Sequence, residues 1–308
     1  MMENLLSTVN AILITGPTAS GKSALAVELA KRHDGAVVNA DSMQVYDTLR
    51  VLTARPSKEE MQGVPHHLYG HVPAGAAYST GAWLRDVSAL LPALRDAGRL
   101  PVFVGGTGLY FKALTGGLSD MPEIPETLRE KLRTRLLQEG PDGLHAELAV
   151  ADPAMAASLN RQDGQRIVRA LEVMKATGRS IADFQGRSGP VIIDAAEARK
   201  IVVLPDRAVL HQRINGRFEK MLQQGAEDEV RALLALDMPA EAPVMKAIGV
   251  SQIVAMLRGE MTRGEVLEKG AAATRQYAKR QMTWFRNQMD DSWERLTVYA
   301  SACCGPPA

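Results

Sequence analysis

Ala11-Ile-Leu-Ile-Thr15-Gly16-Pro-Thr-Ala-Ser-Gly21-Lys22-Ser23 is the stretch on which the reading of this chain turns. Its first five residues read as a buried strand, and in residues 23–33 the apolar positions Leu25, Ala26, Leu29 and Ala30 recur at helical spacing. The eight residues from Gly16 to Ser23 satisfy G-x-x-x-x-G-K-[ST] and stand between that strand and that helix, the context that gives the pattern its meaning. Glycine lets the backbone curl so that several N–H groups point inward, and the helix N-terminus adds partial positive charge. Gly16, Pro17, Thr18, Ala19, Ser20, Gly21, Lys22 and Ser23 are therefore expected to hold a phosphate chain, with Lys22 against its oxygens and Ser23 on Mg2+. ATP, GTP and an allylic diphosphate all present similar oxygens, so kinase, NTPase and transferase remain open at this point.

Outward from this loop, apolar runs at 36–40 and 100–104 end at Asp41 and at Gly105-Gly106-Thr107-Gly108, with a helical stretch at 83–97 between them. Alternating strand and helix imply a parallel sheet, whose strand ends deliver Asp41, Thr107 and the phosphate loop to one crevice. Asp41 reads either as a base or as a magnesium-binding aspartate of an NTPase. The strand end at 105–106 carries glycine where an NTPase would place its other carboxylate. From about residue 120 the chain changes character. Pro122 and Pro125 punctuate it, and a charged amphipathic helix at 126–139 begins a helical insertion expected over 120–163. The core is expected in two parts, 1–119 and 164–308, with a returning strand at 200–204 and helices from there to the Gly-Pro-Pro tail at Gly305.

The chain has 308 residues, enough for a large core. Lys and Arg number 36 against 35 Asp and Glu, so no global positive field points to nucleic acid, and any RNA contact must be local. The two cysteines, Cys303 and Cys304, adjoin in the tail and offer neither a disulfide framework nor spaced zinc ligands. The apolar run at 9–14 is too short to span a bilayer and lacks the flanks of a signal peptide. A soluble, cytoplasmic monomer without membrane contact is expected.

Five motifs in order, Gly16-Pro-Thr-Ala-Ser-Gly-Lys-Ser23, Asp41-Ser-Met-Gln-Val-Tyr46, Gly105-Gly-Thr-Gly-Leu-Tyr110, Gln165-Arg-Ile-Val-Arg-Ala-Leu-Glu172 and Ala278-Lys-Arg-Gln-Met-Thr-Trp-Phe-Arg286, resemble the bacterial tRNA dimethylallyltransferases across nearly the whole chain. The resemblance implies an α/β fold, a P-loop NTPase-like parallel sheet core flanked by helices with a helical insertion domain. It implies that the loop holds the diphosphate of dimethylallyl diphosphate, and that the acceptor is N6 of the adenosine 3′ of the anticodon in tRNA. Asp41 would act as base, with Thr107 and Arg217 near the reaction centre. The anticodon stem-loop would meet Asp41, Ser42, Met43, Gln44, Thr107, Arg129, Gln165, Arg166, Ile167, Val168, Arg169, Arg275, Lys279 and Arg280. Two places depart from the family pattern: Arg55 stands where a lysine is usual, and Gly249-Val-Ser-Gln252 where Gly-Tyr-Arg-Gln is common.

Read from spacing alone, Arg166 and Arg169 share a helix face that is either solvated or RNA-facing. Arg275, Lys279, Arg280 and Arg286 interleave with Tyr277, Trp284 and Phe285, aromatics that either face the core or stack on a splayed base. The chemistry asks for a group that stabilises a departing diphosphate and a carboxylate that takes a proton from a weakly nucleophilic exocyclic amine. A P-loop kinase of small molecules, a prenyltransferase of free adenine nucleotides and an RNA-binding module with a nucleotide switch are the competing readings.

Overall fold

The computed structural model describes residues 9–186 and 189–297. The Cys303-Cys304 tail lies outside them. The chain forms two compact units, one comprising Met1–Thr115 with Ile192–Ala308, the other Gly116–Val191.

The first unit is built on a six-stranded sheet. In chain order it contains β1 (Ala11–Thr15), α1 (Lys22–Arg32), β2 (Ala36–Asn39), α2 (Lys58–Met61), β3 (His66–His67), α3 (Thr80–Asp96), β4 (Pro101–Gly105) and α4 (Gly108–Gly116), which reaches the unit boundary. Every strand pairing is parallel, in the order β3-β2-β4-β1-β5-β6 once the later strands are counted. β1, β2 and β4 are buried along their whole length, as strands covered by helices on both faces must be. The period-two alternation divides their side chains. Ile12, Ile14, Val37, Val102 and Val104 pack with Leu25, Leu29 and Ala30 of α1 in one cluster. Phe103 meets Trp83 of α3 edge-on at 6.2 Å, and Trp83 stacks on Tyr110 at 4.3 Å. The phosphate loop leaves the C-terminal end of β1, which lies between β4 and β5, so the sequence order reverses beside it and opens a crevice there.

The second unit holds α5 (Glu126–Glu139), α6 (Pro141–Ala151), α7 (Pro153–Ser158), α8 (Gly164–Thr177) and α9 (Ile181–Gln185). Its core joins Leu132, Leu144, Leu148 and Ala156 to Ile167, Val168, Leu171 and Val173 of α8 and to Ile181. This corrects the expected boundary. The insertion does not end at 163, because the apolar face of α8 is buried among α5 to α7; the return to the sheet unit falls at Ile192.

Back in the first unit follow β5 (Ala198–Val203), α10 (Arg207–Gln223), α11 (Ala226–Leu234), a 3₁₀ turn (Pro243–Lys246), α12 (Val250–Leu257), α13 (Arg263–Gln288) and β6 (Glu294–Leu296). α13 opens with a capping box in which Thr262 and Glu265 satisfy each other's backbone N–H, which helps hold a 26-residue helix from its first turn. The final strand contradicts the expectation of helix up to the tail. β3 and β6 are edges of two and three residues without an apolar run, so their sequences carry no strand signal.

Candidate active site

Gly16 follows β1 where the backbone passes against β5: a Cβ there would sit 2.5 Å from the Val203 carbonyl oxygen. Gly21 caps α1 at φ 93°, a left-handed conformation open to glycine at no steric cost. The first turn of α1 contains no acidic residue, so its partial positive charge is uncompensated and faces whatever the loop encloses. The Thr15 hydroxyl donates to the Gly105 carbonyl at 3.1 Å, tying the ends of β1 and β4, and Arg213 donates to the Ser20 carbonyl at 3.3 Å.

Asp41 stands just past β2, on a turn pinned by the buried Asn39. Asn39 Oδ1 accepts from the Asp41 N–H at 2.9 Å, and its amide donates to the Asp41 and Leu68 carbonyls, each at 3.0 Å. Asp41 Oδ1 accepts from the Met43 N–H at 3.0 Å. Its other oxygen takes no hydrogen bond among the described residues and lies beside Gly106, where a Cβ would come within 3.4 Å of it. Thr107 Oγ1 accepts from the Ser42 N–H at 3.0 Å, which locks the turn after β4 to the turn after β2.

These groups border a cavity of about 340 Å³. Thr18 and Ala19 bring the phosphate loop to its wall, Asp41, Ser42 and Met43 the β2 turn, Ile214, Arg217, Phe218 and Met221 one face of α10, and Tyr277 and Arg280 a face of α13. Burial pulls the Lys22 ammonium down to about 8, partly opposed by Asp41 and reinforced by the positive charge of Arg217. Burial likewise lowers Arg217, against the pull of Glu60 and Asp41. Two cations and one carboxylate thus sense one another at the crevice, and an incoming diphosphate would relieve the repulsion between the cations.

Among the described residues no cluster of three or more His, Cys, Asp or Glu side chains could hold a metal by itself. Mg2+ binds through a few protein oxygens together with phosphate oxygens and water, so the Ser23 hydroxyl at the head of α1 is a donor that would fit it when a diphosphate is present.

The sequence-predicted residues divide by unit. In the sheet unit Thr18 and Ala19 of the loop, Asp41, Ser42, Met43, Arg217 and Arg280 border the cavity, the other predicted loop residues do not line it, and Thr107 and Gln44 brace its turns; the Gln44 amide donates to the Thr53 and Ala54 carbonyls at 2.9 and 3.1 Å. Arg275 bonds Asn215 at 2.6 Å, and Lys279 is exposed one turn along α13. In the helical unit, Gln165 and Arg166 are exposed, Arg169 pairs with Glu172 at 3.1 Å, and Arg129 pairs with Glu126 at 3.3 Å. Ile167 and Val168 are corrected: at 0% and 5% exposure their side chains belong to that unit's core and are not offered to RNA.

The aromatics of α13 also separate. Phe285 is core, Trp284 lies against Gly108, where a Cβ would come within 2.1 Å of the indole, and Tyr277 faces the cavity under Arg280, 5.7 Å from its ring. Arg55 has a structural task, its guanidinium donating to the Tyr46 and Asp47 carbonyls at 3.0 Å each, which a lysine could not do in that fork geometry. Gln281 went unnoticed as a functional residue, although it lies inside the Ala278-to-Arg286 motif. It is 6% exposed, accepts the Thr18 N–H at 2.9 Å and donates to the Gly106 carbonyl at 2.9 Å, joining the phosphate loop to the glycine turn.

A phosphate-loop turn leads from β1 into α1 in a parallel sheet covered by helices, with a cavity beside it, and that arrangement defines a P-loop protein of the α/β class. Residues 44–288 match the family model described as IPP transferase, and residues 9–69 match one described as isopentenyl transferase. The chain is 89% identical over 297 residues to the tRNA dimethylallyltransferase of Rhizobium leguminosarum bv. trifolii, covering 96% of this chain and 100% of that one. It is 68% identical over 295 residues to that of Sinorhizobium medicae, covering 96% and 97%. Among solved structures, the full-length tRNA isopentenylpyrophosphate transferase of Bacillus halodurans aligns at TM-score 0.65 and 34% identity over 94% of this chain and 90% of that one. A eukaryotic dimethylallyltransferase acting on tRNA aligns at TM-score 0.76 and 26% identity over 90% and 70%. This chain belongs to the IPP transferase family.

Proposed function

We propose that this protein transfers the dimethylallyl group of dimethylallyl diphosphate to N6 of the adenosine 3′ of the anticodon in tRNA, releasing diphosphate. The observation that carries the reading is the arrival of the phosphate loop, Asp41 and Arg217 at one cavity whose wall also combines the cations Lys246 and Arg280 with apolar side chains such as Ile214 and Met221. The loop would hold the diphosphate with Lys22 and Arg217 against its oxygens; Ser23 would hold Mg2+, which would supply charge neutralisation on the leaving group. The C1–O bond of the donor breaks with its electron pair leaving on diphosphate, while the lone pair of N6 forms the new bond to C1. The free oxygen of Asp41 takes the N6 proton, so the product is a neutral secondary amine. Arg280, Lys279 and Arg275 support a path for the RNA backbone along α13, and Tyr277 offers an aromatic face inside the cavity.

Among the described residues no helix is long and apolar enough to cross a membrane. The proposed reading has the protein act on tRNA in the cytoplasm as a monomer. The test is an anticodon stem-loop with purine riboside, which lacks the exocyclic amine, at the acceptor position. It should bind and accept no dimethylallyl group. Transfer to that RNA at another atom would contradict the assignment of N6.

A further inference from the structure

α10 and α13 run in opposite directions along their contact: Phe218 meets Gly270, Asn215 accepts from Arg275, and Leu210 clusters with Ala278. The catalytic cavity opens beside Ile214 and Arg217. Between the opening turns of α10 and the C-terminal half of α13 lies a second groove, of about 410 Å³. Its floor is aliphatic, with Leu210 and Ala278 buried and Met282 half-buried. Its banks are basic: Arg207 and His211 from α10 face Arg275, Lys279 and Arg286 from α13. Spacings of four and seven residues put each set on one side of its helix. From Arg275 to Arg286 the stripe covers about 16 Å of helix axis.

No carboxylate lines this groove. Elsewhere on the surface arginines are neutralised by acids, Arg135 by Glu139 and Glu147, Arg199 by Glu294, and Arg231 by Glu227. Among the described residues none of the five groove bases makes an ion pair, and Arg275 alone of them has a hydrogen-bond partner, Asn215. In a chain of 36 bases and 35 acids, such a groove is a local positive field that the composition conceals. Its length chooses the ligand. A compact diphosphate would reach one or two of these cations, whereas a chain with a charge at every repeat can meet them in succession. Lys279 borders the groove and the adjacent Arg280 borders the catalytic cavity, so one turn of α13 joins the two.

We infer that the groove between α10 and α13 carries the sugar–phosphate backbone of the RNA, with Arg207 and His211 as a second bank opposite the cations of α13. Contacts of this kind fix the register of the RNA and read no sequence. The inference rests on the tRNA reading and adds Arg207, His211 and Arg286 to the binding surface.

The experiment follows a labelled anticodon stem-loop by fluorescence anisotropy across a salt series. KM values for both substrates come from transfer read by mass spectrometry, and folding is checked by thermal unfolding. Arg207→Ala should lower the slope of log K against log salt by about one unit, and Arg207→Ala with Arg286→Ala by about two. Arg207→Lys should keep the wild-type slope. Arg207→Ala should also raise the KM for RNA by about tenfold, without the same rise for dimethylallyl diphosphate. A folded Arg207→Ala variant with the wild-type slope would overturn the inference. A rise confined to the KM for dimethylallyl diphosphate would also overturn it, assigning the groove to the donor. Binding to phosphatidylglycerol vesicles that Arg207→Ala abolishes, with RNA binding unchanged, would assign it to a lipid surface instead. Each of these outcomes leaves dimethylallyl transfer intact. A wild-type chain that neither binds the stem-loop nor modifies it would overturn the functional reading and this inference together.

Discussion

Thr18 gives its backbone N–H to the side chain of Gln281, at 2.9 Å and across 263 positions of sequence. The phosphate loop is thereby held by the helix that carries Arg275, Lys279 and Arg280, and the other end of the same amide holds the Gly106 carbonyl. Gln281→Ala leaves a donor and an acceptor unpaired in a buried place. It should cost about 1–3 kcal/mol in urea unfolding and raise the KM for dimethylallyl diphosphate more than that for RNA. Equal changes in both KM values would show that the amide does not position the loop.

Asp41→Asn keeps an acceptor for the Met43 N–H and removes the basic oxygen. Turnover should fall by about a hundredfold or more, the usual size of a general-base effect, with RNA and diphosphate affinity nearly unchanged. Single-turnover transfer measures this, and unchanged turnover would remove Asp41 from the base role.

Lys22 titrates near 8 in the folded chain because burial disfavours its charge. Below that pH the ammonium is ready to meet the diphosphate, and above it the free site holds a neutral amine. Affinity for dimethylallyl diphosphate should therefore weaken in the wild type as pH rises through 8, with a flatter profile for Lys22→Arg in binding calorimetry. The unfolded chain keeps the same proton up to about 10.5, so the ligand-free protein should gain stability from this group between 8 and 10.5. Lys22→Met should raise Tm at neutral pH while abolishing diphosphate binding.

Arg275, Lys279 and Arg280 share α13 and have no carboxylate partner within ion-pair distance among the described residues. If they meet RNA phosphates, stem-loop affinity falls as salt rises, and Lys279→Ala reduces the slope of log K against log salt by about one unit. A slope unchanged by that substitution would take Lys279 off the RNA path.

Much of this was legible because its signals are local. The glycines of residues 16–21 and the apolar run before them specify a strand, a turn and a helix within a few residues of one another, and the structure follows them almost to the residue. The ends of β2 and β4 announced Asp41 and Thr107 in the same way. What stayed hidden depends on contacts between distant segments. α8 has an amphipathic face that any partner could cover, so its place with α5 and α6 could not be read from spacing. Ile167 and Val168 lie inside the motif from Gln165 to Glu172, of which Gln165 and Arg166 are exposed while Ile167, Val168, Ala170 and Leu171 are buried. Gln281 acts through partners more than a hundred positions away, and a polar residue in a helix gives no sign of where its side chain ends.

The central claim is tested most directly by incubating the protein with Mg2+ and an anticodon stem-loop, supplying either dimethylallyl diphosphate or ATP, and reading the RNA by mass spectrometry. The account predicts one five-carbon addition, on the adenosine 3′ of the anticodon, with the allylic diphosphate alone. An RNA left unchanged by the allylic diphosphate, or phosphorylated with ATP, would contradict it.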